Sequence, residues 1–437
     1  MTKQRIGIYL RPSQVVRNPT YLPRLRDQLG LNLLVLIYTG ELSQQVLAQS
    51  PFDGWPPSPD NIRAILAQRF DGSPCTDKFT NPLQSVGPHV DANGDDVEVR
   101  AAIQLARDAG LEIWLMGGAW TANDADVVMY CPSKAQNQQW YEAVYTYLAT
   151  AYAVDGLDIT HARFPMRSFP KGLFLCACPD CTRSAAALGY DMRAMQADID
   201  HAHTRLQQID SRRLVEIARH ALGPFDYLQL LGMRPGVIDW LRFRADLLTS
   251  QLIPLRNAVH QAAGDEFIFG ADTYPASFSL LAGHNHARWG ECSDFASPLL
   301  SHVDIFPMWT MIVSAQFLLE LHPTLSEQEA LQVVYRFAGY DHLAMPANLA
   351  EFAWHEPDCE YRHIPLVEML RLDMAKARLY LPPGIPSYPI IQGGGAPHDW
   401  PRTAIETIMA DALALGHNGY IFQGTSALVD FTLSVDR

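Results

Sequence analysis

Val154-Asp155-Gly156-Leu157-Asp158-Ile159-Thr160-His161-Ala162-Arg163-Phe164-Pro165 is the stretch on which the reading of the architecture turns. Gly156 to His161 is a short apolar run, opened by Asp-Gly and followed by a proline, which is how a buried strand of a parallel sheet reads. Strand alternation puts Asp158 and Thr160 on one face, with Asp158 one layer deeper than Thr160. Polar groups on the inner face of such a strand ask what the rest of the chain wraps around them.

Working outward, seven further runs have the same character: Arg5 to Arg11, Asn32 to Thr39, Glu112 to Gly118, Phe267 to Asp272, Val303 to Trp309, Tyr388 to Gly393 and Gly419 to Gln423. Amphipathic stretches lie between them. Val97 to Ala109 carries Val99, Ile103 and Ala106 on one side and stops at Gly110. Pro401 to Leu415 begins on proline and ends at Gly416, and Ser326-Glu-Gln-Glu329 is a capping box ahead of Ala330 to Phe337. Eight strands alternating with helices predict an α/β fold, a (β/α)8 TIM barrel whose site lies at the C-terminal strand ends. The whole chain, residues 1–437, is expected to form one barrel domain with long insertions after strands 2 and 4. The first, about 40–94, is rich in Pro, Gly, Asp and Ser and reads as a rim or lid. The second, about 173–265, holds a cysteine cluster and then long helical patterns, including Val237 to Asn257 with Pro254 as a kink.

A 48% hydrophobic content over 437 residues supports a large core, and the formal net charge of −14 without a Lys/Arg run argues against nucleic acid as a partner. No stretch offers eighteen uninterrupted apolar residues, so no membrane span is expected. Met1 to Leu10 has no apolar signal core, which makes the cytoplasm the expected compartment. An oligomer is compatible with the sequence, though no assembly surface is recognisable in it.

Four of the seven cysteines stand apart: Cys131, then Cys176-Ala-Cys178-Pro-Asp-Cys181. Three thiols within six residues suit a tetrahedral thiolate site for structural Zn2+ better than disulfides in a reducing compartment. A chance cluster and a redox dithiol are the alternatives. Cys75, Cys292 and Cys359 lack such spacing and read as ordinary reduced thiols.

Tyr130-Cys131-Pro132-Ser133, an aromatic-rich helix, Val154 to Asp158 and the cysteine cluster together resemble glycoside hydrolase family 42, the zinc-containing β-galactosidases. The resemblance covers about 111–188. It implies that a cysteine after the third strand and the cluster after the fourth hold structural zinc, and that the substrate is a carbohydrate. Val154 to Pro165, Gly270 to Pro275 and Val303 to Met308 resemble the strands of glycosyl-hydrolase-like bacterial barrels, the closer match overall. This chain departs from both. The fourth-strand Asn-Glu of family 42 falls on His161 and Ala162, the aspartate of the glycosyl-hydrolase-like pattern falls on Thr160, and a chitinase-type pattern fails at Thr160 and Ala162. Gln392 ends the seventh strand where a Glu nucleophile would be looked for.

Glycoside hydrolysis normally uses two carboxyl groups, about 5 to 5.5 Å apart for retention and about 6.5 to 9.5 Å for inversion. Asp158 and Asp272 are the available pair, an Asp pair in place of the usual Glu pair. Asp158 can equally be a structural carboxylate paired with Arg11 or Arg163. His161 is a further candidate acid or base, and Arg163 offers a fork for an anionic group or a salt bridge within its loop. On an extended chain these two side chains would point the same way. His284-Asn-His286 has a metal-ligand spacing that could join Asp272, although two loop histidines are more often hydrogen-bonded or solvent-facing, and His201 and His203 fall on different helix faces. Arg11, Tyr38, Trp120, Tyr274, Trp309, Gln392 and Gln423 are expected to line the mouth, where amides and flat rings suit a hydroxyl-rich ligand. The expected function is therefore a glycoside-hydrolase-type enzyme acting through Asp158, Asp272 and His161. The alternatives are a non-catalytic carbohydrate-binding barrel and a lyase or isomerase using His161 as base.

Overall fold

The structure is a computed structural model that describes residues 4–38, 96–122, 127–128, 131–166, 171–220, 224–230, 232–300, 306–352, 364–393 and 400–424. The rim expected at 40–94 lies outside the described residues.

Eight parallel strands form the centre: β1 (Arg5–Leu10), β2 (Leu33–Ile37), β3 (Glu112–Gly118), β4 (Gly156–Thr160), β5 (Ile268–Thr273), β6 (Ala296–Pro298), β7 (Ile390–Gln392) and β8 (Gly419–Gln423). Their hydrogen-bonded order is β6-β5-β4-β3-β2-β1-β8-β7. Parallel bridges Ala296–Ser387 and Leu299–Ile390 close the ring between β6 and β7. The Ala296 N–H donates to Pro386 O and the Tyr388 N–H to Ala296 O, both at 2.9 Å. This is the (β/α)8 architecture that the strand count predicts. A separate two-stranded hairpin pairs Thr121–Ala122 with Val127–Val128.

The helices are α1 (Pro12–Arg17), α2 (Tyr21–Leu29), α3 (Asp96–Asp108), α4 (Ala135–Ala151), α5 (Pro179–Ala187), α6 (Met192–Gln208), α7 (Ser211–Arg219), α8 (Pro224–Leu230), α9 (Pro235–Ala263), α10 (Phe306–Leu321), α11 (Glu327–Ala338), α12 (Leu366–Tyr380) and α13 (Arg402–Ala414). The long segment after β4 is thus helical from α5 to α9, with Pro254 inside the 29-residue α9. At α11 both bonds of the expected capping box are made, from Ser326 and from Glu329, and Gly339 terminates the helix at φ 78°.

The sixth strand is a correction. Phe306 to Trp309 belong to α10, and Val303 to Ile305 lie outside the described residues. Phe306 to Leu321 is a mostly apolar stretch of 16 residues, which is helix length, with proline in the first turn. The strand that occupies the sixth place, Ala296–Pro298, is three residues long.

Glycines let aromatic rings fill the barrel floor. A Cβ on Gly270 would lie 2.3 Å from Phe295 Cε1, and one on Gly156 2.8 Å from Trp114 Cδ1. The Trp114 and Phe295 rings stack at 4.5 Å. Arg5 completes this floor by donating to Glu112 Oε1 at 2.9 Å and to the Tyr388 hydroxyl at 2.6 Å, with its guanidinium 5.3 Å from the Trp114 ring centre. A half-buried cation so paired lets the closed floor carry charge without an orphan. Asp158 sits one inward-facing layer above, because Trp114 is in register with Gly156 and Met116 with Asp158.

Candidate functional site

Asp158 and Asp272 come together inside the ring, on adjacent strands β4 and β5. The Tyr9 hydroxyl from β1 lies 2.6 Å from Asp158 Oδ2 and 3.4 Å from Asp272 Oδ1, spanning the lumen between them. Asp158 is completely buried and Asp272 is 4% exposed. Burial first, then the neighbouring Asp272 charge, pushes the Asp158 carboxyl well above the usual carboxylate range, and the Tyr9 bond acts the other way. Burial likewise pushes Asp272 up to about 7, opposed by hydrogen bonds from Thr160 and Tyr9 and by the Arg163 charge. Thr160 reaches Asp272 as strand parity predicts, from the face it shares with Asp158. Tyr9 is the residue that the strand reading leaves out; its place on β1, in line with Gly7 and two residues before Arg11, was the available signal.

The surrounding lumen has unmet hydrogen-bonding capacity. Asp158 Oδ1, Ser297 Oγ and Gln392 Oε1 are buried and have no hydrogen-bond partner among the described residues. Ser297 is in register with Asp272 on β6, and Gln392 with Gln423 at the ends of β7 and β8. Buried polar atoms of this kind call for a ligand or solvent partner.

Arg163 is buried and does not pair with Asp158. Its Nη1 donates to Phe164 O at 3.3 Å, and its guanidinium lies 5.5 Å from the Tyr274 ring centre. His161 Nδ1 is 3.0 Å from Thr160 Oγ1. The backbone turns left-handed at His161, φ 60°, and the Arg163 N–H donates to His161 O at 2.8 Å. The extended-chain argument for a shared direction of His161 and Arg163 therefore does not apply.

The other expected mouth residues divide. Arg11 is exposed at the N-cap of α1, whereas both carboxylates are buried. Trp120, at φ 37°, is buried, with its backbone N–H donating to the Tyr141 hydroxyl at 3.2 Å. Tyr274 is buried, its hydroxyl 2.8 Å from Thr310 Oγ1 on α10. Trp309 is carried by α10, not by a strand end. Tyr38 turns to the helical layer, its hydroxyl 3.2 Å from that of Tyr152.

His284 is already committed: Nδ1 accepts the Tyr274 N–H and Nε2 donates to Ala162 O, each at 2.8 Å. It braces the loop after β4 at Ala162. Among the described residues the one cluster with metal-ligand character is Cys131, Cys176, Cys178 and Cys181, all buried, with sulfurs within 4.8 Å of one another. Cys131 Sγ lies 3.7 Å from Cys178 Sγ and 3.3 Å from Cys181 Sγ. A tetrahedron of sulfurs at the usual Zn–S length of about 2.3 Å has edges of about 3.8 Å, so four thiolates here fit a metal ion. No helix among the described residues is long and apolar enough to cross a membrane.

No protein-family profile and no curated protein matches the sequence. Among solved structures the chain is similar to the PgaB (BpsB) glycoside hydrolase domain from Bordetella bronchiseptica, with 12% identity, TM-score 0.48, and coverage of 98% of this chain and 96% of that one. It is similar to the catalytic domain of β-amylase from Paenibacillus polymyxa, at 10% identity and TM-score 0.45, over 99% and 97% of the two chains. The β-galactosidase of Marinomonas ef1 is a third, at 10% identity and TM-score 0.45, with 96% of this chain matched to 54% of that one.

Proposed function

We propose that this protein is an enzyme of the glycoside-hydrolase type that acts on a carbohydrate through the Asp158–Asp272 pair. The observation that carries the reading is the Tyr9 hydroxyl held between two buried carboxyls inside the barrel, Asp272 near the C-terminal end of β5 and Asp158 one layer below. Two carboxyl groups in unequal surroundings divide the proton work between them. Asp158, deeper and fully buried, keeps its proton. Asp272, more accessible and titrating near neutrality, delivers its proton to the departing glycosidic oxygen as the C–O bond breaks, and its carboxylate then takes back a proton from the water that adds to the anomeric carbon. His161 and Arg163 flank the pair at the end of β4, Arg163 lowering the cost of an ionised Asp272. Ser297 and Gln392 supply hydrogen bonds to sugar hydroxyls.

Zinc is the ion that best suits the four cysteines, because a closed shell of soft thiolates favours it. With no open coordination position, it pins Cys131, ahead of α4, to the start of α5 and takes no part in the reaction.

The test is hydrolysis measured across a panel of glycosides, with Asp272→Asn as the control. Turnover that the substitution abolishes supports the reading, and equal rates in parent and variant remove Asp272 from the mechanism. Saturable sugar binding without turnover would instead favour a carbohydrate-binding barrel, consistent with Ala162 at the position of the family acid. An unsaturated or isomerised product would favour a lyase or isomerase.

A further inference from the structure

His161 stands in a backbone conformation that glycine adopts most readily. Its φ of 60° lies in the left-handed region, where a side chain meets a steric cost. Successive residues of an extended strand point to opposite faces, so an extended His161 would turn away from Thr160. The left-handed turn instead places the ring beside its neighbour, with Nδ1 3.0 Å from the Thr160 hydroxyl oxygen. Three bonds hold the turn. The Ala119 N–H donates to Thr160 O at 2.9 Å, the Arg163 N–H to His161 O at 2.8 Å, and His284 Nε2 to Ala162 O at 2.8 Å. A costly conformation so firmly braced points to a task for the ring.

Thr160 also bonds Asp272, so the three side chains form a chain running outward from the lumen. Asp272 is 4% exposed, Thr160 8%, and His161 is partly exposed. A hydroxyl has one hydrogen to give and two lone pairs to offer. With Asp272 protonated, the carboxyl donates to Thr160 Oγ1, and Thr160 gives its own hydrogen to a bare Nδ1. With Asp272 ionised, Thr160 gives that hydrogen to the carboxylate, and a hydrogen on Nδ1 fills a lone pair of Oγ1. A neutral imidazole serves both arrangements, because either ring nitrogen can carry its hydrogen. The other titratable or charged groups facing Asp272 are Asp158 on β4, Tyr9 on β1 and Arg163 after β4. The Tyr9 hydrogen is taken by Asp158 at 2.6 Å, which leaves Thr160 as the hydroxyl that can follow the proton on Asp272.

We infer that Asp272, Thr160 and His161 act as one reversible hydrogen-bond chain, in which the Thr160 hydroxyl turns around and the His161 tautomer changes whenever Asp272 gains or loses its proton. The neutral ring gives up the hydrogen on Nε2 to solvent as it takes one on Nδ1, so its own proton count is unchanged. Thr160 and His161 are then positioning residues that keep both states of Asp272 hydrogen-bonded. Their part in turnover rests on the reading of Asp272 as the acid; the coupling itself does not.

The experiment is nuclear magnetic resonance of the full chain without substrate, followed over pH. Carbon-13 at the Asp272 carboxyl, assigned by its loss in Asp272→Asn, reports the acid. Nitrogen-15 at His161 separates the two neutral tautomers from the protonated ring. The expected result is a change of His161 tautomer at the pH where Asp272 titrates, abolished by Thr160→Val and retained by Thr160→Ser. No change there, or one that survives Thr160→Val, overturns the proposal whether or not any glycoside is turned over. On a glycoside that the parent hydrolyses, Thr160→Val and His161→Leu should lower kcat about tenfold with KM unchanged, the share of one hydrogen bond. Thr160→Ser and His161→Asn, which keep a group able to donate and accept, should stay within about twofold of the parent. Coupling without any turnover removes the hydrolase reading and leaves the chain standing, whereas parent rates in Thr160→Val and His161→Leu overturn the positioning role.

Discussion

The Tyr9 hydroxyl is bonded to Asp158 at 2.6 Å across 149 residues of sequence, and the same oxygen lies 3.4 Å from Asp272. One hydroxyl hydrogen serves two carboxyls, and the nearer takes it. Asp158 and Tyr9 thus form a fixed unit at the base of the lumen, while Asp272 is left with Thr160, the more distant Tyr9 contact and the Arg163 field to moderate its charge. Similar carboxyls acquire different tasks through differences in burial and partner rather than in residue type.

Removing the Tyr9 hydroxyl tests that division. Asp158 loses its hydrogen bond and Asp272 the more distant Tyr9 contact, each of which favours the ionised form, so Tyr9→Phe should move the Asp272 titration upward from about 7. If protonated Asp272 is the acid, the alkaline limb of the pH–rate profile moves to higher pH with it. A hydrogen bond to a charged group is worth about 1.5–3 kcal/mol, so the rate should fall roughly 10- to 100-fold. A Tyr9 that merely filled space would lower stability and leave the limb in place.

Asp272 also sets a pH dependence of stability. Its folded pKa, about 7, lies above the value of about 4 expected in the unfolded chain, so folding favours the protonated form. Its contribution to stability is fully present below about pH 4 and is lost as pH rises through about 7. Asp272→Asn removes this dependence. The variant should therefore gain Tm over the parent at pH 8, by an amount reflecting a few kcal/mol, and show little gain at pH 4. Equal differences at both pH values would refute the raised pKa.

The ring itself was legible in the sequence because most strands are apolar runs with clear punctuation, as Gly419–Gln423 and Glu112–Gly118 show. Strand β6 was not. Ala296-Ser-Pro298 has no β-branched residue and ends on proline; its position is set by bridges to Ser387 and by Phe295 packing over Gly270, contacts that no local pattern records. Val303 to Trp309 took its place in the reading because alternation alone does not separate a short strand from the start of an apolar helix. At the site, strand ends pointed to Asp158 and Asp272. Their link through Tyr9 depends on ring closure and on which way each strand faces, and the same uncertainty misplaced Tyr38, which bonds outward to Tyr152.

Gly270 offers a test of the floor beneath the carboxyls. A Cβ there meets the Phe295 ring at 2.3 Å, inside any tolerable contact, and the ring is held by its stack on Trp114. Gly270→Ala should cost about 1–3 kcal/mol, read as a lower denaturation midpoint in urea. Combining it with Phe295→Leu should cost less than the sum of the two single changes, since the leucine vacates the clashing volume. Strict additivity would show that the two sites do not touch.

Metal content is the remaining prediction. The Cys131 and Cys181 sulfurs are 3.3 Å apart within a group of four buried cysteines, and Ser133 Oγ lies 3.3 Å from Cys181. Elemental analysis of the purified chain should find one zinc per molecule, and Cys181→Ser should lose most of it. Chelation of the parent should lower Tm, because the ion ties the segment before α4 to the start of α5. Turnover per folded molecule should be unchanged in the protein that remains folded, since a four-thiolate shell offers the substrate no position. A zinc-free parent of full stability would refute the assignment, and a specific loss of turnover without loss of fold would move the metal into the chemistry.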